Sequence, residues 1–202
     1  MKVVGNVVLI VVDIQGGTVP SAQSRTEIPH MGGREERAPR AREVIRHCRE
    51  KGVPVVFIQE VHKPSLIDIG RELDGAEGPH CVEGWPETEL GSGIDPRPDE
   101  FLIKKRRYSA FFGTELEIVL KAYRAETLLL IGGLTDVCVH YTAVDAHQHD
   151  YPFRVLTDCV GGSSPSAHES ALKAMQYLQR DALVTAADTA AWLDSLPPTP
   201  SR

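Results

Sequence analysis

Three residues that could act together in nucleophilic catalysis each follow a run of apolar residues. Cys138 comes shortly after Gly132-Gly133, in the first turn of a predicted helix, where backbone N–H groups favour a thiolate and can bind an oxyanion. Asp13 ends the apolar run Val7–Val12, and its carboxyl group could accept and return protons. Lys105 ends another such segment and could pair with Asp13 or hold a thiolate. Together the three groups suggest attack by a thiol on a carbonyl carbon.

Each of these residues also has an ordinary structural interpretation. A free cysteine is usually a small buried hydrophobic residue. Asp13 could be a hydrogen-bond acceptor in a loop or a helix cap, and Lys105 could be a solvated member of the basic run 104–107. Catalysis is favoured because all three are expected at strand ends of one sheet.

The elements that would position these residues alternate between strand and helix. Continuous β-branched runs predict strands buried on both faces, at about 6–13, 54–60, 101–105, 127–131, 153–158 and 182–185. Helices are predicted at about 39–51, 114–124, 135–149, 164–178 and 188–193, the second opened by a capping box at Thr114–Glu117. This order predicts an α/β fold, a three-layer αβα sandwich with a mostly parallel six-stranded sheet. Ligands of such sheets bind beyond the carboxyl ends of the strands.

The chain is predicted to form one domain, residues 1–196, followed by a disordered tail, 197–202. The segment 61–98 is rich in proline and glycine, lacks a sustained period and predicts a lid or insertion loop. Candidate substrate-binding residues are Glu60 at the end of the second strand, Arg71 and His80 on the lid, and Gln176 on the helix at 164–178. The alternatives are a structural or subunit-contact loop for the lid, and a solvated helix face for Gln176.

Composition excludes several classes of protein. A net charge of −6 argues against broad affinity for nucleic acid or an anionic membrane. The N-terminal apolar run is too short for a signal peptide or a membrane span, which predicts a cytoplasmic protein with free thiols at its 4 cysteines. No CxxC pair or HExxH spacing occurs, so the spacing predicts no metal site.

Beyond these patterns, the sequence resembles the isochorismatase-like superfamily of cysteine hydrolases, a Rossmann-like fold, from Val7 to about Trp192. Three segments carry the resemblance: Val-Val-Asp13-Ile-Gln, Lys105-Arg-Arg-Tyr-Ser-Ala-Phe-Phe-Gly-Thr, and Gly-Gly-Leu-Thr-Asp-Val-Cys138-Val-His-Tyr-Thr-Ala. The resemblance implies that Asp13, Lys105 and Cys138 form a catalytic triad.

The resemblance also implies a cis peptide at Gly133–Leu134, with the N–H groups of Leu134 and Cys138 forming the oxyanion hole. It implies a homo-dimer or homo-tetramer, since the family commonly forms both.

The resemblance also bears on the reaction and the substrate. A cysteine at position 138 favours amide chemistry over the vinyl-ether cleavage of true isochorismatases. The segment Gly70-Arg-Glu-Leu-Asp-Gly75 with His80-Cys81 is similar to the biuret and ureide amidohydrolases, near N-carbamoylsarcosine amidase. The resemblance therefore implies cysteine-dependent hydrolysis of a small polar amide or ureide at a C–N bond through a thioester.

Nicotinamidases carry a metal-binding Asp-x-His and a further histidine just downstream, whereas this chain reads Glu60-Val-His62-Lys-Pro-Ser. Only one histidine matches, so no metal or other cofactor is expected.

Three alternatives remain open: a nicotinamidase-like or other amidase of the same superfamily, a non-catalytic binding protein, and a thiol redox protein. The intact triad argues against a binding protein, which would not need Asp13 and Lys105. The lack of an obvious resolving cysteine near Cys138 argues against redox chemistry, although Cys81 could serve.

Overall fold

The computed structural model describes residues 1–18 and 23–197, so the predicted tail lies outside the described residues from position 198 onward. Six strands form one sheet in the order β3-β2-β1-β4-β5-β6. Each neighbouring pair is parallel. The strands are β1 (Val7–Val12), β2 (Val55–Glu60), β3 (Phe101–Lys105), β4 (Thr127–Gly133), β5 (Phe153–Gly161) and β6 (Leu183–Val184). The helices are α1 (Arg34–Glu50), α2 (Leu116–Ala122), α3 (His140–Gln148), α4 (Pro165–Leu178) and α5 (Ala186–Ser195).

Helices cover both faces of the sheet, which confirms the three-layer αβα sandwich. Alternate residues of β1 enter two separate cores, because successive strand side chains point to opposite faces. Val8, Ile10 and Val12 pack in the core under α2, α3 and α4. Val7, Leu9 and Val11 pack in the core under α1 and α5. This double burial explains why the strand is a continuous apolar run.

The first helix begins earlier than the sequence predicted. We expected it to start near Pro39, but α1 starts at Arg34 and contains that proline. A proline inside a helix removes one backbone hydrogen bond. The helical turn before Pro39 makes side-chain hydrogen bonds to residues outside the helix. Arg34 donates to the Gln15 carbonyl, and Arg37 donates to the Gly32 carbonyl.

The capping box predicted at Thr114–Glu117 is wrong. Thr114 Oγ1 accepts from the N–H of Leu116 at 3.2 Å and not from that of Glu117, and the Glu117 carboxylate pairs with Lys121 at 2.6 Å. A capping box does form at the start of α5, where Thr185 and Asp188 bond reciprocally. The α2 motif had the right residue types, but its glutamate lies one turn from a lysine that attracts it.

Two loops cross the carboxyl edge of the sheet. The long connection from β2 to β3 contains only two short 3₁₀ turns in its described residues, Glu72–Asp74 and Pro86–Thr88. The other loop, residues 23–33, is here called the strap. Its Glu27 exchanges backbone hydrogen bonds with residues 78 and 79 of the connection, and its Met31 N–H donates to Gly162 beyond β5 at 2.9 Å.

Within residues 1–18 and 23–197, no helix is both long enough and apolar enough to cross a bilayer. The four cysteines are free, as predicted.

Candidate active site

Four chemically active side chains meet at the carboxyl ends of four adjacent strands. Asp13 follows β1, Glu60 ends β2 and Lys105 ends β3. Cys138 follows β4 in a single π-helical turn, Thr135–Val139. Glu60, Lys105 and Cys138 are buried, with 3%, 1% and 8% of their surfaces exposed. The three residues predicted as a triad therefore lie together, and Glu60 joins them.

Lys105 lies at the centre of this group. Its Nζ is 2.9 Å from Asp13 Oδ2 and 3.4 Å from Cys138 Sγ, and it also contacts Glu60 Oε2. Asp13 Oδ1 accepts a hydrogen bond from the Glu60 backbone N–H at 2.9 Å. Cys138 Sγ donates to Glu60 Oε2 at 3.5 Å. One ammonium is thus shared by two carboxylates and a thiol.

The pKa values of the two buried carboxyl groups are shifted in opposite directions. Burial raises the pKa of Asp13 to about 6, against the opposing effect of Lys105 and with a contribution from Glu60. Burial would also raise the pKa of Glu60, but Lys105 and hydrogen bonds from His62 and His80 hold it well below its ordinary value. Asp13 is therefore the stronger base of the two.

The thiol of Cys138 is neutral at rest. Burial raises its pKa well above the ordinary value, Lys105 opposes this, and the charges of Glu60 and Asp13 add to it. The expectation of a thiolate favoured by the start of the helix is therefore not met in this state, because two carboxylates adjoin the sulfur. Lys105 stays charged, since burial lowers its pKa by less than its anionic neighbours raise it.

The Gly132-Gly133 segment shapes the turn that carries Cys138. Gly132 has φ of 123°, and a Cβ there would lie 1.8 Å from the Val12 carbonyl oxygen, so only glycine fits. The Gly133–Leu134 peptide is cis, as the resemblance implied. The turn is anchored to the chain beyond β5, because Asp136 Oδ1 accepts from the Ser163 N–H at 2.8 Å.

A second buried cluster adjoins the first through Glu60. Its members are Glu60, His62, Glu72 and His80, each offering one ligand atom within 4.8 Å of the others. His80 Nε2 lies 3.0 Å from Glu60 Oε1, and His62 Nε2 lies 3.2 Å from Glu72 Oε2. Burial lowers the pKa of His80, but the adjacent carboxylates of Glu60 and Glu72 outweigh it and raise that pKa to about 10. The pKa of His62 is raised on the same balance.

This cluster has the composition of a metal site. Both carboxylate oxygens of Glu72 and Nδ1 of His62 are buried without a well-formed hydrogen bond among the described residues. Two imidazoles and two carboxylates suit Zn²⁺ or a similar divalent cation. The sequence has no second histidine just downstream of His62, but the bridge between His62 and Val82 brings His80 alongside it. The expectation that no metal binds remains untested.

A cavity of about 280 Å³ opens onto Asp13, Glu60, His80 and Cys138. The other predicted substrate contacts do not reach it. The side chain of Arg71 is 93% exposed and pairs with Asp74 at 2.6 Å. Gln176 is exposed on α4 and is not among the residues that line the cavity. Both residues are exposed on the surface away from the cavity, which the sequence pattern does not reveal.

Comparisons with known proteins agree with this geometry. A family model described as an isochorismatase domain matches residues 7–189. The chain is 36% identical to maleamate amidohydrolase of Pseudomonas putida over 91 residues, which cover 45% of this chain and 43% of that protein. It is 29% identical over 189 residues to the ureidoacrylate amidohydrolase RutB of Methylorubrum extorquens, covering 82% of this chain and 74% of that protein. The structure of Pyrococcus horikoshii pyrazinamidase in complex with zinc is 30% identical with a TM-score of 0.74, covering 90% of this chain and 99% of that one. The chain therefore belongs to the isochorismatase family of hydrolases.

Proposed function

We propose that the chain is a cysteine-dependent hydrolase that cleaves a C–N bond of a small amide or ureide through a thioester. The observation that carries the proposal is the buried contact of Lys105 Nζ with both Asp13 Oδ2 and Cys138 Sγ. A nucleophile, a proton acceptor and a fixed positive charge are what thiol attack on a carbonyl requires. The similarity to two amidohydrolases supports a C–N bond as the target.

In the first step Asp13 accepts the Cys138 proton as Sγ attacks the substrate carbonyl. Glu60 is also within reach of the sulfur, but its pKa lies well below its ordinary value, whereas that of Asp13 is about 6. Near neutral pH the group with the higher pKa takes the proton more readily. Lys105 remains protonated and offsets the negative charge that develops on the sulfur.

The developing oxyanion is assigned to the N–H groups of Leu134 and Cys138. The Leu134 N–H donates no hydrogen bond to a backbone acceptor among residues 1–18 and 23–197, which supports its availability. Each oxyanion donor is typically worth about 3–4 kcal/mol. Asp13 then gives its proton to the leaving nitrogen, and ammonia or an amine departs from the thioester.

Water completes the reaction. Asp13 removes a proton from a water molecule as the oxygen attacks the thioester carbonyl, and the C–S bond breaks. The thiolate of Cys138 recovers the proton from Asp13 and the acid leaves. The net reaction is addition of one water molecule across the C–N bond.

A divalent cation held by Glu60, His62, Glu72 and His80 would supply a Lewis acid beside the cavity that orients a polar substrate atom. This cluster, with the likeness to a zinc-bound pyrazinamidase, favours a second candidate function, a nicotinamidase-like amidase. The cavity lining disfavours it, because Tyr108 is the one phenylalanine, tyrosine or tryptophan among the described residues that line the cavity. A non-catalytic binding protein and a thiol redox protein remain rivals from other classes.

Ammonia release from a panel of ureides, half-amides and nicotinamide tests the proposal. The unmodified protein should release ammonia from at least one ureide or half-amide, and Cys138→Ala should release none while unfolding at the same temperature. Mass spectrometry during turnover should show an acyl adduct on Cys138. Ammonia release that persists in Cys138→Ala, or no release from any amide, would contradict the proposal. The implied homo-dimer or homo-tetramer also stays a prediction, which light scattering checks.

A further inference from the structure

The side of the cavity under α1 carries two arginine side chains that the proposed chemistry does not use, Arg37 beside the end of β5 and Arg34 beside the loop that follows β1. Arg34 and Arg37 lie three positions apart on α1, so they share one face of the helix, and both line the cavity. Arg37 Nη1 donates to the Gly32 carbonyl at 2.7 Å and Nη2 to that of Met31 at 3.4 Å, while Arg34 donates to the Gln15 carbonyl. A guanidinium has five N–H donors, so each keeps donors for a ligand.

Both guanidinium groups occupy space that a glycine leaves open. A Cβ at Gly161, the last residue of β5, would lie 2.7 Å from Arg37 Cζ. A Cβ at Gly16 would lie 2.5 Å from Arg34 Nη2. Gly161 pairs with Gly133 across β4 and β5, and neighbouring strands are about 4.8 Å apart. Arg37 therefore lies one strand from the peptide assigned to the oxyanion hole.

The charges around the cavity are unevenly distributed. Among the described residues, no carboxylate lies within 4.0 Å of either guanidinium. On the β2 and β3 side, the cavity is lined by Glu60 and by Glu77, whose carboxylate accepts from the Tyr108 hydroxyl at 3.0 Å. Cys138 follows β4, which lies in the sheet between the acidic side at β2 and β3 and Arg37 at the end of β5. The cavity thus has a cationic side and an acidic side with the nucleophile between them.

We propose that Arg37, assisted by Arg34, binds a carboxylate group of the substrate, which is therefore a small amide or ureide acid with one negative charge. This inference rests on the proposed function and names its substrate class. A planar guanidinium binds a carboxylate through two parallel hydrogen bonds, which fixes orientation as well as affinity. With the carboxylate at the arginines, the scissile carbonyl reaches Cys138 and the leaving nitrogen points to the acidic side. The volume of about 280 Å³ suits a molecule of this size.

Matched substrates test this assignment on the unmodified protein and its variants. Initial rates of ammonia release are compared for the half-amide of a four-carbon dicarboxylic acid and for its neutral diamide. The unmodified protein should prefer the half-amide. Arg37→Gln should lower kcat/KM for the half-amide about tenfold to a hundredfold, as expected on losing a charge-assisted hydrogen bond, and change that for the diamide less than about twofold.

Arg40→Gln is the matched control. Arg40 lies one turn further along α1, is exposed and donates to the Asp158 carbonyl at 3.4 Å, so its loss should leave both rates unchanged. Arg37→Lys should recover part of the half-amide rate because it retains the charge. Equal losses for both substrates in Arg37→Gln, or no preference of the unmodified protein for the half-amide, would overturn the carboxylate site. If the diamide were still hydrolysed in a Cys138-dependent way, the proposed function would stand.

Binding gives a readout that does not need turnover. Calorimetry of the half-amide with the Cys138→Ala protein should show a Kd that rises about tenfold when Arg37→Gln is added. Such binding without turnover of any amide would support the carboxylate site and reject the hydrolase. An unchanged Kd would reject the carboxylate site. If Arg37→Gln does not fold, as judged by its Tm, Arg34→Gln enters the same assays with the same criteria.

Discussion

The Lys105 ammonium lies 2.9 Å from Asp13 Oδ2 in a site where the lysine side chain is completely buried. A buried ion pair of this kind gains from the weak screening around it, and removal of one partner leaves a charge without compensation. The contact therefore has two consequences, one for the reaction and one for stability.

Lys105→Met should abolish amide hydrolysis and destabilise the fold. It leaves Asp13 and Glu60 as two buried carboxylates without their shared cation, a change that typically costs about 3–5 kcal/mol. Urea unfolding at pH 7 measures the loss. Lys104→Met is the control, because that side chain is exposed one position earlier on β3 and its loss should shift the unfolding free energy by less than about 0.5 kcal/mol. Equal stability of the two variants would contradict the role given to Lys105.

Cys138→Ser should be almost inactive although it preserves the shape of the site. An alcohol has a much higher pKa than a thiol, and Asp13, with a pKa of about 6, is a weak base for it. We expect kcat to fall by more than about a thousandfold with little change in Tm. Retention of most of the activity would show that another group attacks the substrate.

The pH dependence of kcat/KM should have an acid limb near pH 6. Below that pH Asp13 is protonated and cannot accept the Cys138 proton, and above it the carboxylate is available, so the rate rises as pH rises through about 6. Activity that stayed constant between pH 5 and 7, a window of about one unit on either side of that pKa, would argue against Asp13 as the base.

Glu60→Gln should move the acid limb to lower pH. The charge of Glu60 contributes to the raised pKa of Asp13, so its removal lowers that pKa. The same substitution replaces the carboxylate that accepts the Cys138 hydrogen bond by a neutral amide, a weaker acceptor, so the maximal rate is also expected to change. An acid limb at the same pH in Glu60→Gln and in the unmodified protein would show that Glu60 does not affect the pKa of Asp13.

The four-residue cluster should bind one divalent cation. Metal analysis of protein equilibrated with zinc and then desalted should find about one equivalent in the unmodified protein, as for a site of two histidines and two carboxylates. His80→Ala should lose the metal, whereas His147→Ala, at an exposed position of α3, should keep it. If the unmodified protein binds no zinc, or if His80→Ala binds as much, the result would support the expectation from the sequence that this cluster is not a metal site.

Ureides and half-amides should be hydrolysed well above nicotinamide. The cavity joins acidic and basic groups and offers a single phenol ring, that of Tyr108, for stacking. Arg71→Ala should leave these rates unchanged because its side chain is 93% exposed, while His80→Ala should lower them. A higher kcat/KM for nicotinamide would support the second candidate function.

The site residues that the sequence predicts are those that end a strand or closely follow one. Asp13, Lys105 and Cys138 each follow an apolar run, and parallel strands must place such residues along one edge. His80 was not linked to His62, because a loop without periodicity gives no indication of which residues approach each other. The sequence does not reveal Arg37, because Pro39 predicts the start of the helix and leaves the arginine outside any predicted element.

The central pairing of the sheet has a consequence for folding. β1 and β4 are neighbours, with Val7 opposite Thr127, although residues 13–126, more than half of the chain, lie between them. Asp13 follows the first of these strands and Cys138 the second, so base and nucleophile meet only when the longest-range pairing of the sheet closes. Contacts between such distant segments form slowly because a large loop must be ordered first. Catalytic competence should therefore be gained last in refolding, together with the complete tertiary structure.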